Sequence, residues 1–279
     1  FAFERGQPGS VMCAYNKVGG DHACENEFLL SRVLRQEWNW PGYVMSDWGA
    51  VHSTAKAANA GLDQASGFPF DKEPYFGKPL AEAIERGEVS PARLDQMVSR
   101  ILHSLFVHGV MDNPVSPGPI DFAAHRAVTL KDAEAGAVLL RNQGVLPLAA
   151  NAKRIVVIGG YADKGVLSGG GSSQVYPVGG NAVPGLKPET WPGPVVYYPS
   201  APLAELRKAL PGAQIDFADG RDPAAAAKLA RGADAAIVFA NLWAGEAFDV
   251  SLTLPDNQDG LINAVATANG KTVVVLQTG

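Results

Sequence analysis

Two hydrophobic rhythms alternate along the chain, and the switches between them predict its elements. Val11 to Tyr15 is a run of strand-like residues that ends in the polar Asn16, and a loop through Gly19-Gly20 follows. Residues 26–38 then place Phe28, Leu29, Val33, Leu34 and Trp38 at helical spacing, with Asn26 positioned to cap the first turn. Tyr43-Val44-Met45 is a second short strand, and Gly49 ends its extended pattern, so Asp47 and Trp48 should sit at the strand's C-terminal lip. Strand, helix and strand in this short span are the unit of a βα-barrel or a doubly wound sheet. Residues 52–60 read as helical, 61–63 as a further short strand, and 67–79 as a loop rich in Pro, Gly and Phe. Helical spacing returns at 80–84 and over 91–107, where Ser90 is the N-cap, Pro91 the first helical residue and Gly109 the stop.

Residues 112–119 carry three prolines and few apolar anchors, which reads as an interdomain linker. A long helix is predicted over 123–141, stopped by Asn142-Gln143-Gly144. Strands follow over 155–158, 195–198, 215–217, 235–239 and 273–276, with helices over 203–210, 223–230 and 258–268. Strands alternating with amphipathic helices imply a parallel sheet covered on both faces.

Composition narrows the function. Hydrophobic residues make up 47% and charged residues 18%, with a net charge of -5 and no block of like charge. Such a chain has ample core and nothing that suggests nucleic acid or a membrane surface as partner; a neutral substrate suits it better. No apolar run approaches the ~18 residues of a membrane span. The chain opens at Phe1 without a Met and stops just after a strand-like run, so it is expected to be a piece of a longer polypeptide with any targeting signal outside it. Cys13 and Cys24 flank the Gly-Gly turn, where a hairpin could bring them within bridging distance; a disulfide would suit a periplasmic or secreted protein, and the alternative is two reduced, partly buried thiols. The five histidines have no metal-ligand spacing, and no metal or cofactor is expected. Gly169-Gly170-Gly171 follows a strand, yet it lacks both the G-x-G-x-x-G spacing and the Gly-Lys-Ser/Thr of a phosphate loop.

Asp47-Trp48 is the chemical candidate. In a parallel α/β barrel active sites are built at the C-terminal lip of the strands. A carboxylate can attack or steady an electron-poor anomeric carbon, while an indole face packs against the apolar face of a pyranose. The residues alone leave open a second reading, in which Asp47 merely caps the next helix.

Four blocks together carry a resemblance: Val11-Met12-Cys13-Ala14-Tyr15-Asn16-Lys17-Val18-Gly19-Gly20, Val44-Met45-Ser46-Asp47-Trp48-Gly49-Ala50, Ala60-Gly61-Leu62-Asp63, and Leu139-Leu140-Arg141-Asn142-Gln143-Gly144-Val145-Leu146-Pro147-Leu148. In order and over essentially the whole chain, they resemble glycoside hydrolase family 3, most closely its β-glucosidases. The resemblance implies an α/β fold: the C-terminal part of a (β/α)8-type barrel over residues 1–112, a linker over 113–122, and an α/β sandwich with a mostly parallel sheet over 123–279, incomplete at its C-terminus. It implies that Asp47 is the nucleophile, that Trp48 lines the sugar subsite and that Met12 and Tyr15 lie beside it, ordinary packing at a strand end being the alternative for the last two. The segment from Leu242 to Pro255 is similar to the family's acid/base loop, which makes Glu246 the general acid/base, although Ala247 and Val250 stand where the family more often has Gly and Arg. Ser172, in the glycine-rich loop, is placed within reach of the sugar, or else the loop is simply flexible.

The expected function is therefore a retaining exo-β-glycosidase that releases terminal β-D-glucosyl residues through a covalent glycosyl-enzyme. A β-xylosidase or other exo-glycosidase on the same scaffold, or a non-catalytic nucleotide- or sugar-binding α/β module, are the alternatives. The one family branch that uses a His as acid/base often lacks the sandwich domain, which argues against it here. The expected partners are a small carbohydrate and the remainder of the same polypeptide, with a homodimer left open.

Overall fold

The computed structural model describes residues 1–67 and 71–278, so 68–70 of the loop expected over 67–79 lie outside the described residues. The chain divides into two compact units, Phe1–Arg126 and Ala127–Gly279.

The first unit opens with helix α1 (Ala2–Gly6) and strand β1 (Ser10–Cys13), and a two-residue ribbon, β2 (Lys17–Val18) and β3 (Asp21–His22), follows. Gly19 and Gly20 both take positive φ, 62° and 100°, which is the turn a tight antiparallel hairpin requires. Next comes a helix over Phe28–Glu37 with π-type winding, in which the Trp38 amide reaches back five residues to the Val33 carbonyl. Asn26 caps it as its sequence position suggests, its Oδ1 accepting from the Leu29 amide at 2.9 Å. Strand β4 (Tyr43–Ser46) then pairs in parallel with β1 in the register Val11 to Val44 and Cys13 to Ser46. Helices α2 (Ala55–Ala60), α3 (Lys78–Glu85) and α4 (Pro91–Val107) complete the unit. The Ser90 hydroxyl accepts from the Arg93 amide at the head of α4.

Two expectations are corrected here. The strand predicted over 61–63 does not form: the amides of Asp63 and Gln64 both donate to the Val44 carbonyl at 3.0 Å, two residues against one, and only a single bridge, Met45 to Gln64, survives. The helix predicted over 52–60 begins only at Ala55, because the His52 amide is held by the Glu25 carboxylate and its ring stacks on His22 at 3.7 Å.

Asp63 is the polar centre of this unit. Its fully buried carboxylate accepts from Arg35, Arg93 and Arg100 at 2.8, 2.9 and 2.9 Å, and from the Val44 amide at 3.0 Å. Burial pushes the Arg35 guanidinium down to about 10, and the nearby Arg100 charge adds to the effect.

Helix α5 (Phe122–Gly136) stops five residues short of the expected end, at a glycine, the weakest helix former after proline. Beyond it, a four-stranded parallel sheet in the order β10-β9-β5-β8 is built from β5 (Arg154–Ile158), β8 (Gln214–Ala218), β9 (Ala235–Leu242) and β10 (Thr272–Thr278). Helix α6 (Pro202–Ala209) covers one face, where Leu203 packs with Ile155, Val157, Ile215, Ile237 and Phe239. Helices α7 (Pro223–Ala230) and α8 (Gln258–Ala268) cover the other through Ala226, Ala230, Leu261 and Val265, packed on Val156, Ile158, Ala236 and Val238. Both faces of β5 are thus buried, which explains its unbroken apolar sequence. The strand expected over 195–198 lies outside this sheet: β7 (Val196–Tyr198) pairs antiparallel with β6 (Val166–Ser168), a three-residue strand too short to show in the pattern.

Candidate active site

Asp47 follows β4 directly, at the C-terminal end of a parallel pair, and the local backbone fixes its position. Its amide donates to the Cys13 carbonyl at the end of β1 (3.1 Å), its carbonyl accepts from the Ala50 amide (3.2 Å), and its Oδ1 accepts from the Trp48 amide at 2.7 Å. Beneath it the buried Ser46 hydroxyl accepts from the Ser66 amide at 2.8 Å. Gly49, with φ 75°, lets the chain turn away immediately after Trp48.

Met12, Tyr15 and Trp48 are large apolar side chains that stay exposed, at 60%, 51% and 55%. The Tyr15 hydroxyl donates to the Trp48 carbonyl at 2.8 Å, so the β1–β2 loop is tied to the turn that holds Asp47. That loop is further fastened by a disulfide between Cys13 and Cys24, with Cα atoms 5.2 Å apart. The structure thus gathers Asp47, Trp48 and Tyr15 at one strand end, with both aromatic residues about half exposed. Met12 lies on the adjacent strand in register with Met45.

In the second unit, Glu246 and the glycine-rich loop prove to be one construction. Gly170 bridges Gly245 in parallel; its amide donates to the Ala244 carbonyl (2.9 Å), and its carbonyl accepts from the Glu246 amide (3.2 Å). The Ser172 amide then donates to Glu246 Oε2 at 2.7 Å. This donor holds the exposed Glu246 carboxyl below its ordinary range, with the Ser172 side chain contributing in the same sense. Gly171, at φ 101°, leaves no room for a side chain: a Cβ there would lie 2.3 Å from the Cβ of Glu246. Trp243 and Phe248 flank the loop with ring centroids 5.6 Å apart.

The sequence places Ser172 within reach of the sugar; the structure adds that its amide donates to Glu246. Sequence reasoning missed the arginines around Asp63. Asp63 belongs to one of the motif blocks, but partners so far away in sequence leave no local signal. Among the described residues no cluster of three or more His, Cys, Asp or Glu could hold a metal ion.

Residues 5–104 match the glycosyl hydrolase family 3 N-terminal domain, and residues 137–279 match the glycosyl hydrolase family 3 C-terminal domain. A thermostable beta-glucosidase B of Acetivibrio thermocellus is 32% identical over 295 residues, covering 100% of this chain and 36% of that protein. A beta-glucosidase of Wickerhamomyces anomalus is 34% identical over 317 residues, covering 99% and 38%. Among solved structures, beta-D-glucoside glucohydrolase from Trichoderma reesei superposes with a TM-score of 0.77 at 27% identity, covering 98% of this chain and 40% of that one. DesR, a beta-glucosidase from Streptomyces venezuelae in complex with D-glucose, superposes with a TM-score of 0.81 at 28% identity, covering 99% and 49%. The chain spans well under half the length of these curated relatives. With one domain match in each half and identity above 30% across its whole length, the chain belongs to glycosyl hydrolase family 3.

Proposed function

We propose that the protein carrying this chain is a retaining exo-β-glycosidase that releases terminal β-D-glucosyl residues from glucosides or oligosaccharides. The observation that carries the reading is Asp47, held at the C-terminal end of a parallel strand by two main-chain hydrogen bonds and a third from the Trp48 amide to its carboxylate, in company with the exposed side chains of Trp48 and Tyr15. Rings of this kind stack on the apolar face of a pyranose, and the carboxylate has the rigidity an attacking group needs. The names of the two relatives above, both beta-glucosidases, support glucose as the sugar.

In this reading Asp47 attacks the anomeric carbon as Glu246 protonates the departing oxygen, giving a covalent glycosyl-enzyme. Glu246 then takes a proton from water, which displaces Asp47 and restores the starting configuration. The Ser172 amide favours the ionised Glu246, the form the second step uses. Met12 packs at the rim of the sugar subsite. The Cys13–Cys24 bond supports a periplasmic or secreted location.

The test is chemical rescue in the intact protein. Asp47→Ala should lose turnover by several orders of magnitude, and azide should restore part of it with a product of inverted configuration. Glu246→Ala should slow natural disaccharides by about 10²–10⁴-fold, and slow dinitrophenyl glucosides far less, because that leaving group departs unaided. Azide should then accelerate turnover with retention. Near-normal turnover in Asp47→Ala would overturn the nucleophile assignment. An equal loss on both substrates in Glu246→Ala would overturn the acid/base assignment.

A further inference from the structure

The parallel sheet of the second unit has a topological switch point. From β5 the chain leaves through α6 to β8 on one side, whereas from β9 it leaves through α8 to β10 on the other. Between the C-terminal ends of two such strands the connections diverge and open a crevice, the place where open α/β sheets bind ligands. Here that crevice is a cavity of about 460 Å³, lined among others by Tyr161, Tyr197, Asp219, Asn241, Trp243 and Gln258. The volume falls within the usual range for small-molecule sites. Neither Glu246 nor Ser172 lines it.

Its polar groups are held in place. Asn241 donates to the Gly160 carbonyl (2.9 Å) and to the Tyr197 hydroxyl (2.7 Å), while Gln258 accepts from the Asn241 amide and donates to its carbonyl (2.8 and 2.9 Å). Tyr161 meets Tyr197 edge-on, 5.1 Å between centroids. Two residues of the lining nevertheless carry buried polar atoms with no partner among the described residues, Asn241 Oδ1 and Trp243 Nε1. Buried polar atoms in native proteins are nearly always paired, and here an acceptor and a donor lie unpaired in the wall of one cavity, beneath its surface. The remaining chemistry selects among ligands. Asp163, Asp219 and Asp256 line the cavity against Lys187 and Arg221, and each of these cations already faces a carboxylate, Glu189 and Asp219 respectively. That balance disfavours a phosphate or other anion. Tyrosine and tryptophan rings beside amide and carboxylate groups suit a neutral polyol, whose hydroxyls donate and accept and whose C–H face stacks.

We propose that this crevice is a second, non-catalytic saccharide site, which takes a free glucose or a glucosyl unit of an oligosaccharide. It stands apart from the hydrolytic reading, because it needs neither Asp47 nor Glu246.

The experiment uses the intact protein with an environment-sensitive fluorophore on Arg221→Cys, a rim position whose side chain is 82% exposed. The two native cysteines are joined, so the new thiol labels selectively. Glucose or cellobiose should change the fluorescence saturably, with the same midpoint within about twofold in the Asp47→Ala and Glu246→Ala backgrounds. Tyr161→Ala and the milder Asp219→Asn, each checked for folding by circular dichroism, should weaken the midpoint by about tenfold. Absence of a saturable response would overturn the proposal. So would a response that Asp47→Ala or Glu246→Ala abolishes, one that neither cavity variant alters, or one given by adenosine monophosphate and not by sugars.

Discussion

Gly171→Ala displaces Glu246 without substituting it, and the structure sets the size of the effect. A Cβ built on Gly171 lies 2.3 Å from Glu246 Cβ, 2.9 Å from its Oε2 and 3.1 Å from its amide nitrogen, where ordinary contact begins at 3.4 Å. The closest atom is therefore about 1 Å too near, and both sides of the clash are anchored through the hydrogen bonds between Gly170 and residues 244 and 246. Relief requires the loop to shift by roughly that ångström, and a misplacement of ~1 Å in catalytic geometry costs about 10²-fold in rate. Alanine at φ 101° adds backbone strain of about 1–3 kcal/mol, a second force toward displacement. The assay compares kcat/KM on cellobiose and on dinitrophenyl β-glucoside in the intact protein. The disaccharide rate should fall by about 10²-fold, equivalent to about 2.7 kcal/mol, while the activated substrate, which needs no proton, should lose little. Wild-type cellobiose turnover in a folded Gly171→Ala protein would refute the reasoning. An equal loss on both substrates would also refute it, because it would point to a general collapse of the unit.

Asp63→Ala leaves three arginines without their shared carboxylate and the Val44 amide without its acceptor, so the first unit should lose about 3–5 kcal/mol, read as a lower denaturant midpoint; a loss under about 1 kcal/mol would show that water replaces the carboxylate. Alkylation of the denatured, unreduced protein should add no mass, since Cys13 and Cys24 are bonded, and prior reduction should expose both thiols. Cys13→Ser with Cys24→Ser should lower stability by about 2–4 kcal/mol, measured by denaturation without reductant.

The pattern of the chain determined much of its local structure. The 3.6-residue spacing, Ser90 and Pro91 located α4 to the residue, because propensity and capping act over a few neighbours and need no tertiary partner. The Gly19-Gly20 turn and the strands of the second unit were legible for the same reason, as an apolar run such as Ile155-Val156-Val157-Ile158 has no stable place except between two covered faces. Motif blocks likewise singled out Asp47 and Glu246. Only the tertiary structure decided what surrounds them. Asp63 read as the end of a strand, yet its carboxylate turns inward to three arginines that lie 28, 30 and 37 residues away, and that demand breaks the ladder at Val44. The link from Ser172 to Glu246 was not legible, because it is pairing between Gly170 and Gly245 that brings the Ser172 amide to a glutamate 74 residues further on. Helix α5 read as longer because its sequence past Gly136 remains apolar, and apolarity alone does not say whether a helix or an extended segment carries it. Gly136 ends α5 by local propensity, but the other differences share a cause: groups paired across long sequence separations overrule local preference, and such pairings are specified by the fold as a whole and leave no mark in any short stretch of the chain.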